Sequence, residues 1–344
     1  MRRRHRPHEV CLRVSLLLTL AAVRAAAASA SSVELTVKSG DIDLAATILL
    51  PESTGIHPAV VLLGGSGPST RAKLRPMADQ IVARGWAVLI YDKRGCGDSK
   101  GDWTATSLSE LADDAVSAIT ALAGRPEIDP SRIGLWGNSN SGWVGPIAAN
   151  RTDAARFLVV FTGGGARPRD VELFGYDQRL AHAQLTDLQV AEARKAVDAY
   201  LRYLETGRGL DDLKATLAAP ANRPWAEALG LERVLPSENG RKAWEWVSTY
   251  DPVPDIARLK IPTLVLLGGN DEDSPLTKSV AGWSSGLAMT GNPRSQILVV
   301  PAGSHSMNVG EHHHPGAGAP QFVPGVFDEV VEWERANGAR PPQP

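Results

Sequence analysis

The sequence predicts an α/β protein: a doubly wound, mostly parallel sheet carrying an inserted helical cap. Three observations carry that reading. The continuous apolar runs Ala59 to Leu63, Ala87 to Tyr91 and Phe157 to Phe161 suit strands buried on both faces. Helical patterns lie between them, and strands alternating with helices mean parallel strands joined by crossovers. The rhythm then breaks from about Ala166 to Lys260, where helical patterns such as "DLQVAEARKAVDAYLRYLETG" occur without a strand, and it resumes at Ile261 to Leu267 and Gln296 to Val300. Residues 31–165 and 261–344 are therefore expected to form the core, and 166–260 a cap.

Taken in chain order, the first element is not part of this fold. Arg2, Arg3, Arg4, Arg6 and Arg13 precede an apolar run from Val14 to Val23 and then "AAAASASS". That is the layout of a secretory signal, with cleavage near Ala28-Ser29-Ala30. The run is too short for the ~20 residues that a spanning helix needs, which favours export of residues 31–344 to a periplasmic or secreted location over an N-terminal membrane anchor. Cys96 is then the one cysteine of the mature chain, and stability has to come from packing rather than a disulfide.

"SVELTVKSGDIDLAATILLP" alternates in two runs around Ser39-Gly40-Asp41, the pattern of a hairpin. A helix is expected from about Leu74 to Arg84, stopped by Gly85. In "SLSELADDAVSAITALAG", Ser107 and Glu110 form a capping box and Gly124 a stop. Pro126 to Ser131 reads as a turn, Arg132 to Trp136 as a strand, and Trp143 to Asn150 as a helix. Trp225, Trp244 and Trp246 are expected to pack a small core belonging to the cap itself.

Charge is nearly balanced at −2 and no basic block lies in the body of the chain, so neither nucleic acid nor an anionic membrane is an implied partner. A small molecule is the expected ligand. The three histidines His312, His313 and His314 are adjacent, so their side chains diverge and suit a solvated loop better than a metal site.

The stretch "GLWGNSNSGW", residues 134–143, misses the nucleophile-elbow pattern G-x-S-x-G by one letter. Such an elbow is a sharp turn between strand and helix, flanked by small residues because the two backbones approach closely. Ser139 has Gly137 two residues before it and Ser141 two after it. Were Ser141 the nucleophile, Trp143 would crowd the turn. Ser139 is the candidate nucleophile, with Ser141 a small packing residue. The oxyanion of acyl transfer needs two preorganised donors. The backbone of Asn140 supplies one, and Gly65 or Ser66 in the Gly-rich loop Gly64 to Gly67 supplies the other. A histidine must serve as base, and an acid must orient it. His305, just past the last apolar strand, and three carboxylates after "TLVLLGG", Asp271, Glu272 and Asp273, are in reach.

With the pieces "VVLLGGSGP", "YDKRGCGDSKGDW", "LADDAVSAI", "RIGLWGNSNSGW", "YDPVPDIARLKIPTLVLLGGND" and "PAGSHS" in this order, the chain resembles the α/β-hydrolase superfamily. It is most similar there to bacterial esterase and acyl-hydrolase-like members with a helical cap. The resemblance implies the order Ser139, Asp271, His305, because Gly268-x-x-Asp271-x-x-x-Pro275 matches the family's acid-bearing turn, with Asp273 as runner-up. It also implies that the oxyanion loop usually opens with His, where this chain has Gly64. "YDKRGCGDS" reads as a structural turn in which Asp92 and Arg94 brace neighbouring loops. The expected function is an exported serine hydrolase acting on carboxylic esters through an acyl-enzyme, with no metal or organic cofactor. A peptidase or amidase on the same residues, or a non-catalytic binding protein of the same fold, are the alternatives.

Overall fold

The structure is a computed structural model that describes residues 31–217, 224–231, 240–310 and 321–337. The arginine-rich segment 1–30 and the histidines His312 to His314 lie outside the described residues. Eight strands, β1 (Ser31–Ser39), β2 (Ile42–Leu50), β3 (His57–Leu63), β4 (Ala87–Tyr91), β5 (Ile128–Asn138), β6 (Phe157–Phe161), β7 (Thr263–Gly268) and β8 (Gln296–Val300), form one sheet in the order β1-β2-β4-β3-β5-β6-β7-β8. The β1–β2 and β2–β4 pairs are antiparallel and the rest are parallel.

Successive strand side chains point to opposite faces, and each face is covered by helices. Val61, Leu63, Leu89 and Leu135 pack on one side with α2 (Leu108–Ala123) and α3 (Ser141–Ala149). Val60, Leu62, Val88 and Trp136 pack on the other with α1 (Arg71–Val82) and the C-terminal helix Val326–Asn337. Burial on both faces is why these strands read as unbroken apolar runs.

The β1–β2 hairpin turns on Gly40-Asp41, with Gly40 at φ +56°. The Ser107–Glu110 capping box is formed on α2, which ends at Gly124. Two helices begin earlier than their apolar periodicity predicts. The side chain of Thr70 accepts from the Lys73 N–H and starts α1 at Arg71, and α3 starts at Ser141 directly after the elbow. β5 is also longer than predicted. Pairing with β3 across a bulge between His57 and Ala59 keeps the chain extended through Asp129-Pro130-Ser131, which composition alone marks as a turn.

All described elements between β6 and β7 are helices. They include α4 (Pro168–His182), α5 (Asp187–Thr206), α6 (Leu210–Leu217) and α7 (Pro224–Leu229). Tyr176, Leu180, Tyr200, Leu201, Leu213 and Trp225 form a core of their own. Trp225 is buried there, whereas Trp246 also packs on Trp143 of α3 with ring centroids 5.6 Å apart, joining this unit to the sheet domain. Among the described residues, no helix is long and apolar enough to cross a membrane.

The turn after β4 is locked by charge. Asp92 accepts from the Arg71 N–H at 2.6 Å and from the Asp98 N–H at 3.0 Å. Arg94 makes a two-pronged bond to Asp114 of α2, Nη2 to Oδ1 at 2.6 Å and Nε to Oδ2 at 2.8 Å, with the Asp114 side chain wholly buried. Removing one member of such a pair strands the other charge, so Asp114→Ala is expected to lower unfolding free energy by about 3–5 kcal/mol in urea denaturation. Wild-type stability in that variant would show that the pair does not brace the turn.

Candidate active site

The four segments of the predicted site, after β3, β5, β7 and β8, all leave the sheet at strand C-terminal ends, where open α/β sheets bind their ligands. Ser139 follows β5 at once and takes φ +59°, a left-handed conformation that a non-glycine residue rarely adopts. Its N–H donates to the Phe161 carbonyl at 3.0 Å, and its carbonyl accepts from the Gly142 N–H at 2.8 Å. Space for this turn is made by missing side chains. A Cβ on Gly137 would lie 2.1 Å from the Ser141 Cβ, and one on Gly163 would lie 1.9 Å from the Ser139 carbonyl oxygen. A Cβ on Gly142 would likewise meet Gly163 backbone at 2.3 Å. Trp143 and Trp283 hold that second strand end, donating from Nε1 to the Ala166 carbonyl at 3.0 Å and the Gly163 carbonyl at 2.8 Å.

Ser141 does more than fill a small space. Its hydroxyl donates between the Leu63 carbonyl, 3.1 Å away, and the Gly64 carbonyl, 2.9 Å away, tying the loop after β3 to the elbow. The glycine expected at this position in the G-x-S-x-G pattern has no group to do this. Gly64 has a steric reason as well. A Cβ there would meet Ser69 Oγ at 2.4 Å, so Ser69 occupies the space in which the usual histidine would begin.

His305 follows β8 and is buried. Its Nδ1 lies 2.9 Å and 3.0 Å from the two carboxylate oxygens of Asp271, which follows β7. The Asp271 Oδ1 also accepts from the N–H groups of Asp273 and Ser274 at 2.8 and 2.9 Å, which orients the carboxylate. Asp273, the alternative acid, therefore lends its backbone to Asp271 while lining the cavity itself. Burial pushes the His305 imidazolium down, but the hydrogen bond and charge of Asp271, with the charge of Asp273, outweigh it, and the net shift is above the ordinary 6.5. The two turns are pressed together by glycine: a Cβ on Gly268 would meet the Gly303 carbonyl at 2.4 Å. Asn138 and Thr162 both donate to the His305 carbonyl, from the ends of β5 and β6. Neither residue was marked by the sequence pattern. Their only sequence signal is position, one directly before Ser139 and one directly before the Gly163-Gly164-Gly165 run.

Ser139 and His305 line one cavity of about 620 Å³, of a size suited to a small ligand. Gly65 and Ser66 line it from one side and Val171, Glu172 and Arg179 of α4 from another. Burial pushes the Glu172 carboxyl up, against the opposing influence of Arg179 and a hydrogen bond with Tyr176. Asn140 is buried directly after Ser139, at the start of α3. Among the described residues none accepts a hydrogen bond from the N–H of Asn140, Gly65 or Ser66. Lys93, in the turn after β4, donates from Nζ to the Gly65 carbonyl at 2.5 Å and the Gly67 carbonyl at 2.8 Å. Burial pushes its ammonium down to about 8. The expectation for this turn covered Asp92 and Arg94 but missed Lys93, whose reach depends on the β3–β4 pairing. Among the described residues no group of three or more His, Cys, Asp or Glu side chains is arranged to hold a metal ion.

Known proteins with this architecture are numerous. The quorum-quenching protein AidA of Acinetobacter baumannii is 30% identical over 125 residues, 36% of this chain and 40% of that protein. Esterase EstD of Thermotoga maritima is 26% identical over 302 residues, 83% of this chain and 64% of EstD. This chain thus spans less than two thirds of the length of either. The Pyrococcus furiosus esterase Pf2001 superposes with a TM-score of 0.59 at 15% identity, covering 90% of this chain and 92% of that one, a likeness of fold alone. The model of the X-Pro dipeptidyl-peptidase (S15) family matches residues 39–320. With the sheet order and the strand-end site described above, that match shows the chain to have the α/β-hydrolase fold and to belong to the X-Pro dipeptidyl-peptidase (S15) family.

Proposed function

We propose that the protein cleaves carboxylic esters through an acyl-enzyme formed on Ser139. The observation that carries this reading is the Nδ1 contact of His305 with Asp271 at the rim of the cavity that Ser139 shares. A neutral imidazole with Nδ1–H bound to a carboxylate leaves Nε2 as the base. His305 takes the Ser139 proton as Oγ attacks the ester carbonyl, and Asp271 stabilises the imidazolium that forms. The carbonyl oxygen becomes an oxyanion facing the N–H of Asn140 and the loop of Gly65 and Ser66. His305 then returns the proton to the leaving alcohol. Water, activated by the same imidazole, releases the acid. This chemistry calls on no metal or organic cofactor.

The esterase assignment draws support from EstD, which matches most of this chain. A peptide substrate is the second reading. It is favoured by the family description and by Glu172 and Arg179, which put a carboxyl and a guanidinium in the cavity wall where a peptide terminus would need an anchor. The arginine-rich N-terminus and the apolar run after it support export, with cleavage near Ala30.

Fluorophosphonate is expected to label the parent and not Ser139→Ala, and labelling that persists in the variant would refute the nucleophile. Graded p-nitrophenyl esters tested beside Xaa-Pro p-nitroanilides separate the two substrate readings, with ester turnover expected to dominate. Because His305 is active only when neutral and Asp271 raises its pKa, kcat/KM is expected to fall as pH drops through a value above 6.5. Asp271→Asn removes the larger raising influences and leaves burial opposed only by the charge of Asp273, so the limb should move to lower pH while the rate falls on the order of a thousandfold or more. An unmoved limb would detach Asp271 from the base. Ser141→Gly restores the usual elbow motif but removes the tie to Gly64, so it should lower kcat by about tenfold rather than raise it. A gain in kcat would refute the tie.

A further inference from the structure

The two N–H groups of the loop after β3 are not equivalent, and their orientations follow from what holds the neighbouring carbonyls. In a trans peptide the C=O and the N–H of one unit point in opposite directions, and no cis bond occurs among the described residues. The Gly64 carbonyl is drawn to the Ser141 hydroxyl inside the elbow, so the Gly65 N–H of that peptide points away from the elbow. The Gly65 carbonyl is drawn to Lys93 Nζ. Lys93 does not line the cavity that Gly65, Ser66 and Ser139 share, and it meets the loop from behind, beside Tyr91 and Asn140. The Ser66 N–H of that peptide therefore points forward, toward the cavity. The Gly67 carbonyl is also bound by Lys93, and the next residue, Pro68, has no N–H to offer.

We propose that Lys93 is a positioning residue for oxyanion binding: its two hydrogen bonds hold the Gly65–Ser66 peptide so that the Ser66 N–H, and not that of Gly65, joins the Asn140 N–H at the substrate carbonyl oxygen. This rests on the acyl-enzyme reading for Ser139. Lys93 touches neither substrate nor Ser139 and acts through the loop. A charged donor suits the task, because hydrogen bonds to an ammonium are stronger than neutral ones and one Nζ spans two carbonyls. It supplies the loop support that a side chain at Gly64 cannot, since Ser69 fills that space.

The test compares the parent, Lys93→Met and Lys93→Arg on p-nitrophenyl acetate, with fluorophosphonate labelling and thermal melting of each. Losing one oriented oxyanion donor costs about a hundredfold or more, so Lys93→Met should lose that much in kcat while KM stays within about threefold. Lys93→Arg, which keeps the charge and two donors, should recover most of the loss. An ester and its thionoester add a readout that a purely structural role would not move: the parent should favour the oxygen ester strongly, and Lys93→Met should narrow that preference. Should Lys93→Met fail to fold, Lys93→Gln, a donor with shorter reach, is judged by the same criteria. A labelled, active parent whose Lys93 variants keep parental kcat and thionoester ratio overturns the role of Lys93 alone. A parent that neither labels at Ser139 nor turns over ester overturns the underlying reading instead.

Discussion

Ser139 sits in a left-handed backbone conformation that costs a serine on the order of 1–3 kcal/mol and persists only where its surroundings over-determine it. Glycine provides that over-determination. Gly137, Gly142 and Gly163 let two strand ends and a helix start pass within distances that no Cβ would tolerate. The Phe161 carbonyl then captures the Ser139 N–H, and Trp143 and Trp283 pin the Gly163 segment from outside. The remaining parts of the site are placed relative to this close approach. Asn138 and Thr162, on the two strand ends it brings together, hold the His305 carbonyl, and Ser141 holds the loop after β3.

Electrostatics adds a second layer to that steric frame. The turn after β4 carries three adjacent charged residues that point to three different neighbours. Asp92 receives α1, Arg94 grips α2, and Lys93 takes the carbonyls of the loop after β3. One short turn thus fixes two helices and the loop beside Ser139. Its buried groups are all paired with charges or with backbone carbonyls, as buried charges must be. The raised pKa of His305 belongs to the same scheme: burial alone would drive the imidazole neutral, and Asp271 counters it.

Much of this was legible in the residues. β4, β6 and β8 have the bounds that their apolar runs predict, and the α2 cap is the box spelled by Ser107 and Glu110. These are local signals, written in period and capping chemistry. What the pattern missed depends on partners distant in sequence. The start of β5 is extended by β3 across a bulge, and its own Asp129-Pro130-Ser131 argues for a turn. Ser141 looked like a tolerated substitute for glycine because the carbonyls it binds lie some 77 residues earlier. Lys93 stands unmarked in a structural turn because its acceptors, Gly65 and Gly67, become neighbours only when β3 pairs with β4. The placing of Asp271 against His305 follows a motif read from a resemblance, and the paired turns at Gly268 and Gly303 are the geometry behind it.

The helices between β6 and β7 pack their own core, yet one face of α4 enters the cavity through Val171, Glu172 and Arg179. Ser139 and His305 therefore stand at the ends of sheet strands, while part of the wall beside them belongs to a helix whose Tyr176 and Leu180 pack in the second core. Glu172 and Arg179 take no part in the glycine-packed elbow, so exchanges there can redraw this stretch of wall without disturbing it, whereas Val171 also rests against the sheet core. A lineage carrying this architecture can reshape what the cavity admits from α4 while the elbow behind Ser139 stays fixed.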